Sequence, residues 1–185
     1  MSQIETRFSQ AGKHPYLDIL RFQETENDES MKETDRILKL LNKTFTVGAW
    51  HGPTVRQVLK QVTPDLAHAR VGDSHSIIGL VMHMTAWRTF VTRRLEGDGS
   101  YQVTDAMNFP DAKSVTWADA VQGLEDSQEK LIAAAGRFPE ERLGELVPSI
   151  THKYTYYTML HGIIHHDLYH IGQIQLLLKG AARPA

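Results

Sequence analysis

Apolar side chains recur every three to four residues over four long stretches of the chain, which is the spacing of an amphipathic helix. The stretches are about 31–45, 76–95, 117–136 and 155–179. The second is the clearest, with one face formed by Ile77, Leu80, Val81, Met84, Trp87, Val91 and Leu95. No stretch alternates between apolar and polar residues as a half-buried strand does. The pattern therefore predicts an all-α fold, with an antiparallel four-helix bundle as the natural packing.

Capping residues separate the predicted helices. Thr54 is expected to cap a short helix, Ser74 to supply the N-cap of the second long helix, and Thr116 that of the third. The connections over 46–74 and 97–115 are long, so helices that follow each other in sequence need not be neighbours in space. The later connection is also long enough to line the mouth of a pocket.

The domain is expected to span residues 30–185, a length that gives room for one hydrophobic core. Residues 1–29 lack a persistent helical pattern and include a polar, acidic segment. We interpret them as an N-terminal extension that packs loosely on the domain or is partly disordered.

Four of the ten histidines lie within ten residues of the last predicted helix, namely His161, His165, His166 and His170. They form two nested pairs with a spacing of four, so either pair could present two imidazoles to one metal ion. On a helical wheel His166 and His170 lie about 140° and about 180° from His161, at the edge of the apolar stripe. His161 and His165 lie on the polar side. A catalytic metal needs ligands that are held by packing and open to a pocket, which favours His166 and His170.

His83 lies about 100° from the middle of the apolar stripe of the second long helix, again at its edge. Three imidazoles that face one cavity would leave a position open on Zn²⁺, Ni²⁺ or Fe²⁺, as catalytic sites do. Such a metal lowers the pKa of water or of a thiol. The alternative is that these histidines are surface or core residues with ordinary hydrogen bonds, and the helical wheel leaves both open.

Charged residues accompany the histidines on both helices. Asp167 falls near the centre of the apolar stripe, where an unpaired carboxylate is costly, so we expect a histidine N–H or an arginine as its partner. Arg88, Arg93 and Arg94 form a basic end to the second long helix. We expect a solvated face there, with an anchor for an anionic thiol as the alternative.

Composition excludes several function classes. The chain has no cysteine, so thiolate metal sites and a cysteine nucleophile are excluded. The net charge of -2 and the pI near 6.5 predict that nucleic acid and anionic membranes are not partners. No apolar run is long enough to span a bilayer and no signal-peptide pattern is present, so we expect a soluble, cytoplasmic protein.

Three segments resemble the DinB family, over about residues 31–180 in order: Trp50–Arg56, His75–Trp87 and His161–Ile174. The resemblance implies a four-helix bundle of up-down-down-up topology that is often dimeric. It also implies a metal held by one histidine of the second long helix and a His-x-x-x-His pair of the last. Matched by motif, these are His83, His166 and His170.

The resemblance further implies a metal-dependent enzyme, either a low-molecular-weight thiol S-transferase or a hydrolase, acting on a small-molecule substrate. Asp167 and His165 would then support the ligands or handle protons. The sulfur of a thiol mechanism must come from a cofactor, because the chain has no cysteine. The alternatives are a non-catalytic metal-binding stress-response protein and a dimerisation module.

Overall fold

The computed structural model describes residues 31–149 and 153–181, which fold into helices joined by turns and loops. The elements are α1 (Glu33–Phe45), α2 (Val55–Leu59), α3 (Pro64–Ala67), α4 (Ile77–Leu95), α5 (Asp105–Asn108), α6 (Trp117–Arg137), a 3₁₀ turn (Glu140–Arg142) and α7 (Tyr156–Ala181). The β structure of the described residues is limited to one isolated bridge, between Leu146 and Thr155. The predicted all-α fold is confirmed.

The helix starts follow the capping chemistry of the sequence, with one shift. Thr54 and Thr116 cap α2 and α6 as predicted, each accepting from a backbone N–H three residues on. Ser74 is not the N-cap of α4, because its hydroxyl accepts from the N–H of Val71 in the preceding turn. Ser76 caps α4 instead.

Contacts at the helix ends define the direction of each long helix. Glu96, just after α4, lies 3.8 Å from Arg137 at the end of α6, so these two helices are parallel. The N–H of Glu33, at the start of α1, donates to the carboxylate of Glu140, just beyond α6, at 2.8 Å. Helix α1 is therefore antiparallel to α6.

Helix α7 is antiparallel to α4. Phe90 and Ile163 line one cavity between them, whereas Leu80 and Leu177 line another, so α7 runs back as α4 runs forward. The four long helices thus follow the up-down-down-up order. The connection from α4 to α6 therefore spans the length of the bundle, whereas the one from α1 to α4 joins two ends that lie on the same side, with Phe45 and Ile77 in one core cluster.

The apolar core consists of two clusters, one toward each end of the bundle. A short interval separates the two clusters on each of the central helices. On α4 it lies between Met84 and Phe90, and on α7 it lies between Ile164 and Ile171. Both intervals hold buried polar side chains. Buried polar groups need partners, so this layer between the clusters is where specific chemistry is expected.

The extension predicted over residues 1–29 lies outside the described residues, and the proposed boundary at residue 30 stays a prediction. Within 31–149 and 153–181, no helix is both long and apolar enough to cross a membrane.

Candidate metal centre

Three histidines from α4 and α7 meet at the polar layer, which His83 borders on α4. The Nε2 atom of His166 lies 3.0 Å from Nε2 of His83 and 3.1 Å from Nε2 of His170. One ligand atom of each ring lies within 4.8 Å of the others. His83 and His170 are buried and His166 is partly buried. The structure therefore brings together the three histidines that the sequence singled out.

Hydrogen bonds at the far side of two rings set their orientation. Nδ1 of His83 lies 2.8 Å from the backbone carbonyl oxygen of Asn108, and Nδ1 of His170 lies 2.7 Å from Oε1 of Gln173. Both partners are acceptors, so each Nδ1 carries the proton and donates. Each Nε2 of these two neutral rings is then a lone-pair donor that points at the third ring.

This donor set fits a transition metal. Two unprotonated Nε2 atoms converge on the Nε2 of His166, and Nδ1 of His166 is buried without a hydrogen-bond partner in the described chain. Lone pairs that face one another repel unless a proton or a cation lies between them. Three neutral imidazoles are ligands that zinc, nickel and iron accept. The three-histidine cluster can bind a metal.

Burial keeps the three imidazoles neutral. It lowers the pKa of His166 to about 3, and electrostatic repulsion of a protonated His166 by neighbouring His170, His83 and Arg88 lowers it further. It also lowers the pKa of His170 to about 4, against the hydrogen bond to Gln173. The pKa of His83 is lowered by the same burial. Protons therefore do not compete with a metal for these nitrogens near neutral pH.

The loop around α5 closes one side of the cluster. The Phe109 ring stacks on His83 with 4.2 Å between centroids and on His75 with 3.5 Å. The indole N–H of Trp87 donates to the side-chain oxygen Oδ1 of Asn108 at 2.9 Å. This hydrogen bond holds Asn108 in place, and its backbone carbonyl accepts from His83. The sequence predicted a loop with Asn108 and Phe109 at a pocket mouth here but gave neither residue a role, because a loop has no periodicity to phase its side chains.

Asp167 has an arginine as its partner. Nη2 of Arg88 donates to Oδ2 of Asp167 at 2.5 Å, and both side chains are buried. Nε of Arg88 also donates to Oε1 of Gln128 at 3.1 Å. Burial raises the pKa of Asp167 to about 6, although the charge of Arg88 lowers it. The sequence predicted a partner for Asp167 and named arginine as one of two choices.

His165 is exposed, and the neighbouring ring that it meets is His161 at 6.4 Å between centroids. Neither belongs to the three-histidine cluster. The proton-handling roles predicted for His165 and Asp167 stay predictions, and the structure places one in solvent and the other in an ion pair.

A cavity of about 340 Å³ opens beside the cluster and is lined by His166, Trp87 and Arg94, among others. The solvated face predicted for the end of α4 is wrong for two of its three arginines. Arg88 is 0% exposed and Arg94 1% exposed, and Arg93 is the one in solvent. Residues 88 and 94 face inward because α4 is surrounded by α6 and α7, which a single-helix pattern does not reveal.

Comparison with known proteins supports the fold. A sequence model described as the DinB superfamily matches residues 49–174. A DinB-like protein from Bacillus subtilis, YjoA, superposes with a TM-score of 0.57 at 17% identity, covering 80% of this chain and 93% of that one. The colibactin self-resistance protein ClbS, solved in complex with a double-stranded DNA, gives a TM-score of 0.61 at 17% identity over 81% and 98%. No curated protein matches the sequence.

The net charge led to the prediction that nucleic acid is not a partner, and this prediction is wrong. ClbS has this fold and was solved with double-stranded DNA. The net charge of -2 averages over the whole surface and does not report on a local patch. The homodimer that the resemblance implies stays a prediction.

Proposed function

The chain belongs to the DinB superfamily, and on that premise we propose that it is a metal-dependent enzyme whose metal is held by His83, His166 and His170. The observation that carries the proposal is the convergence of three Nε2 atoms beside a cavity. The superfamily includes metal-dependent enzymes. Zinc, nickel and iron all suit three imidazoles with a further position open.

The reaction that fits best is transfer of a low-molecular-weight thiol to an electrophile, or hydrolysis. A bound metal supplies a lowered pKa for the thiol or for water, and polarises an oxygen. The chain has no cysteine, so a reacting thiol must enter as a cofactor through the cavity beside His166. Trp87 and mostly apolar side chains line that cavity.

The residues around the cluster position the ligands. Asn108 and Gln173 fix the ring orientation of His83 and His170, as hydrogen-bond acceptors behind metal-bound histidines do. Helices α4 and α7 carry the three ligands on a rigid frame, which favours a fixed geometry over one that forms on binding.

Elemental analysis of untagged, dialysed protein is the direct test. We expect close to one zinc, nickel or iron per chain, and none in a His166→Ala/His170→Ala double variant. His165→Ala is the matched control, because this exposed histidine lies on the same helix next to His166 and should leave the metal content unchanged.

Thiol-transfer and hydrolase screens then test catalysis. Activity that survives in a folded His83→Ala protein contradicts the metal mechanism. Wild-type protein that holds no metal and takes up none when it is added contradicts the proposed site. Full metal content without activity against either screen favours a non-catalytic metal-binding protein.

A second candidate is DNA binding, and the ClbS complex is the observation that favours it. Fluorescence anisotropy with a labelled duplex at low and at physiological salt tests it. Binding to phosphates weakens steeply with salt. Absence of binding at the lowest salt contradicts this candidate.

A further inference from the structure

Arg94 is a buried cation with unused hydrogen-bonding capacity. It lies in the last turn of α4 and is 1% exposed. Nη1 donates to the carbonyl oxygen of Asp98, and the guanidinium carbon lies 4.5 Å from the centre of the Phe90 ring. Nε has no hydrogen-bond partner, and no carboxylate in the described ranges forms an ion pair with Arg94. A buried charge left in this state is costly.

The same side chain lines the cavity that reaches the three-histidine cluster. Arg94 and Tyr154 contribute to the wall, and Trp87 and His166 contribute where the cavity meets the cluster. Most of the remaining wall is apolar, with Phe90 and Ile163 among its members. Burial raises the pKa of Tyr154, so its hydroxyl keeps its proton and can donate.

We propose that Arg94 binds the carboxylate of a small organic anion whose apolar body fills this cavity. The guanidinium presents a planar fork of N–H donors that matches a carboxylate, and water-poor walls strengthen such a contact. A bound carboxylate also supplies the countercharge that Arg94 lacks. The inference rests on the proposed function only in naming this anion as the substrate class.

The spacing along α4 sets the length of the ligand. Trp87 and Arg94 are seven residues apart, which is about 10 Å along a helix axis. An anion held at Arg94 therefore reaches the cluster only if several bonds separate its carboxylate from its reacting group. The cavity of about 340 Å³ has the size of a small-molecule site.

Binding of 4-phenylbutyrate to metal-free protein tests the proposal, followed by NMR through the indole N–H signal of Trp87. We expect a saturable shift with this carboxylate and little with 4-phenylbutanol, its uncharged counterpart. Arg94→Met should raise the dissociation constant about tenfold or more, and Arg94→Lys should raise it less. Arg93→Gln is the matched control, since it removes the same charge from an exposed neighbour.

The proposal is overturned if wild-type protein shows no shift, if the alcohol binds as well as the carboxylate, or if Arg94→Met binds like wild type. Should Arg94→Met not fold, the two probes on wild type and on Arg94→Lys decide the question. The use of metal-free protein separates this test from the metal analysis. Protein that binds the carboxylate but no metal overturns the proposed enzyme and leaves the anion site standing.

Discussion

Arg88 and Asp167 form an ion pair of 2.5 Å between α4 and α7, next to the three-histidine cluster. Asp167 follows His166 in sequence, and Arg88 lies five residues after His83, so the pair ties together the two helices that carry the ligands. Nη1 of Arg88 and Oδ1 of Asp167 have no further partner among the described residues. Each charge therefore depends on the other.

Loss of one partner should cost more than loss of both. Asp167→Asn leaves Arg88 as an uncompensated buried charge and should lower the free energy of unfolding by about 3–5 kcal/mol. The Arg88→Met/Asp167→Leu double variant should lose less than this single variant. Urea unfolding of metal-free protein, followed by circular dichroism, measures both.

The exposed pair of Arg56 and Glu125 provides the control, because its arginine is 43% exposed. Arg56→Met should change the free energy of unfolding by less than about 1 kcal/mol. A double variant at position 88 and 167 that is less stable than Asp167→Asn would contradict the account of the buried pair.

Gln173 should control metal affinity without touching the metal. Gln173→Leu removes the acceptor at Nδ1 of His170, and we expect metal affinity to fall by about 10–100-fold. Gln173→Glu keeps an acceptor and should retain most of the affinity. Competition with a chromophoric chelator measures both, and Gln175→Leu on the same helix is the control.

The hydrogen bond from Trp87 should support His83 indirectly. Trp87→Phe keeps the aromatic packing but removes the donor to Oδ1 of Asn108, which should cost about 0.5–1.5 kcal/mol of unfolding free energy. Metal affinity should fall by only a few-fold, because the backbone carbonyl of Asn108 still accepts from His83. A loss of metal affinity as large as that of Gln173→Leu would show that the loop, and not the Asn108 carbonyl alone, sets the orientation of the His83 ring.

Acid should destabilise the metal-free protein through its histidines. The pKa values of His166 and His170 are about 3 and about 4 in the folded chain, against 6.5 in the unfolded one. Between these values only the unfolded chain takes up the protons, so the free energy of unfolding falls as pH drops. Each such histidine contributes a slope of about 1.4 kcal/mol per pH unit.

Asp167 acts in the opposite direction over part of this range. Its folded pKa of about 6 lies above the unfolded value of 3.8, so the folded chain takes up this proton first and gains stability as pH drops. His170→Asn isolates the histidine contribution. Its stability should fall less steeply than that of wild type between pH 6 and pH 4.5, and an equal slope in urea titrations would contradict the lowered pKa of His170.

The sequence alone determined the helices and part of the site. Apolar periodicity and the caps at Thr54 and Thr116 are set by residues within a few positions of each other, so the local pattern was sufficient. The local sequence also determined that His166 and His170 lie near each other, because both are on one helix. Periodicity placed His83 at the edge of the apolar stripe of another helix and made it a candidate third ligand, and the resemblance to the DinB family matched the same three histidines.

Only the tertiary structure decided which distant side chains meet. The burial of Arg88 and Arg94, and the partner that Asp167 takes, depend on α6 and α7 packing around α4. Asn108 reaches His83 through a loop whose path carries no repeating signal. Such contacts join residues far apart in sequence, and their energy arises from excluding water between surfaces that are separate until the helices pack. A local pattern shows which face of a helix is buried, but not which residue will lie against it.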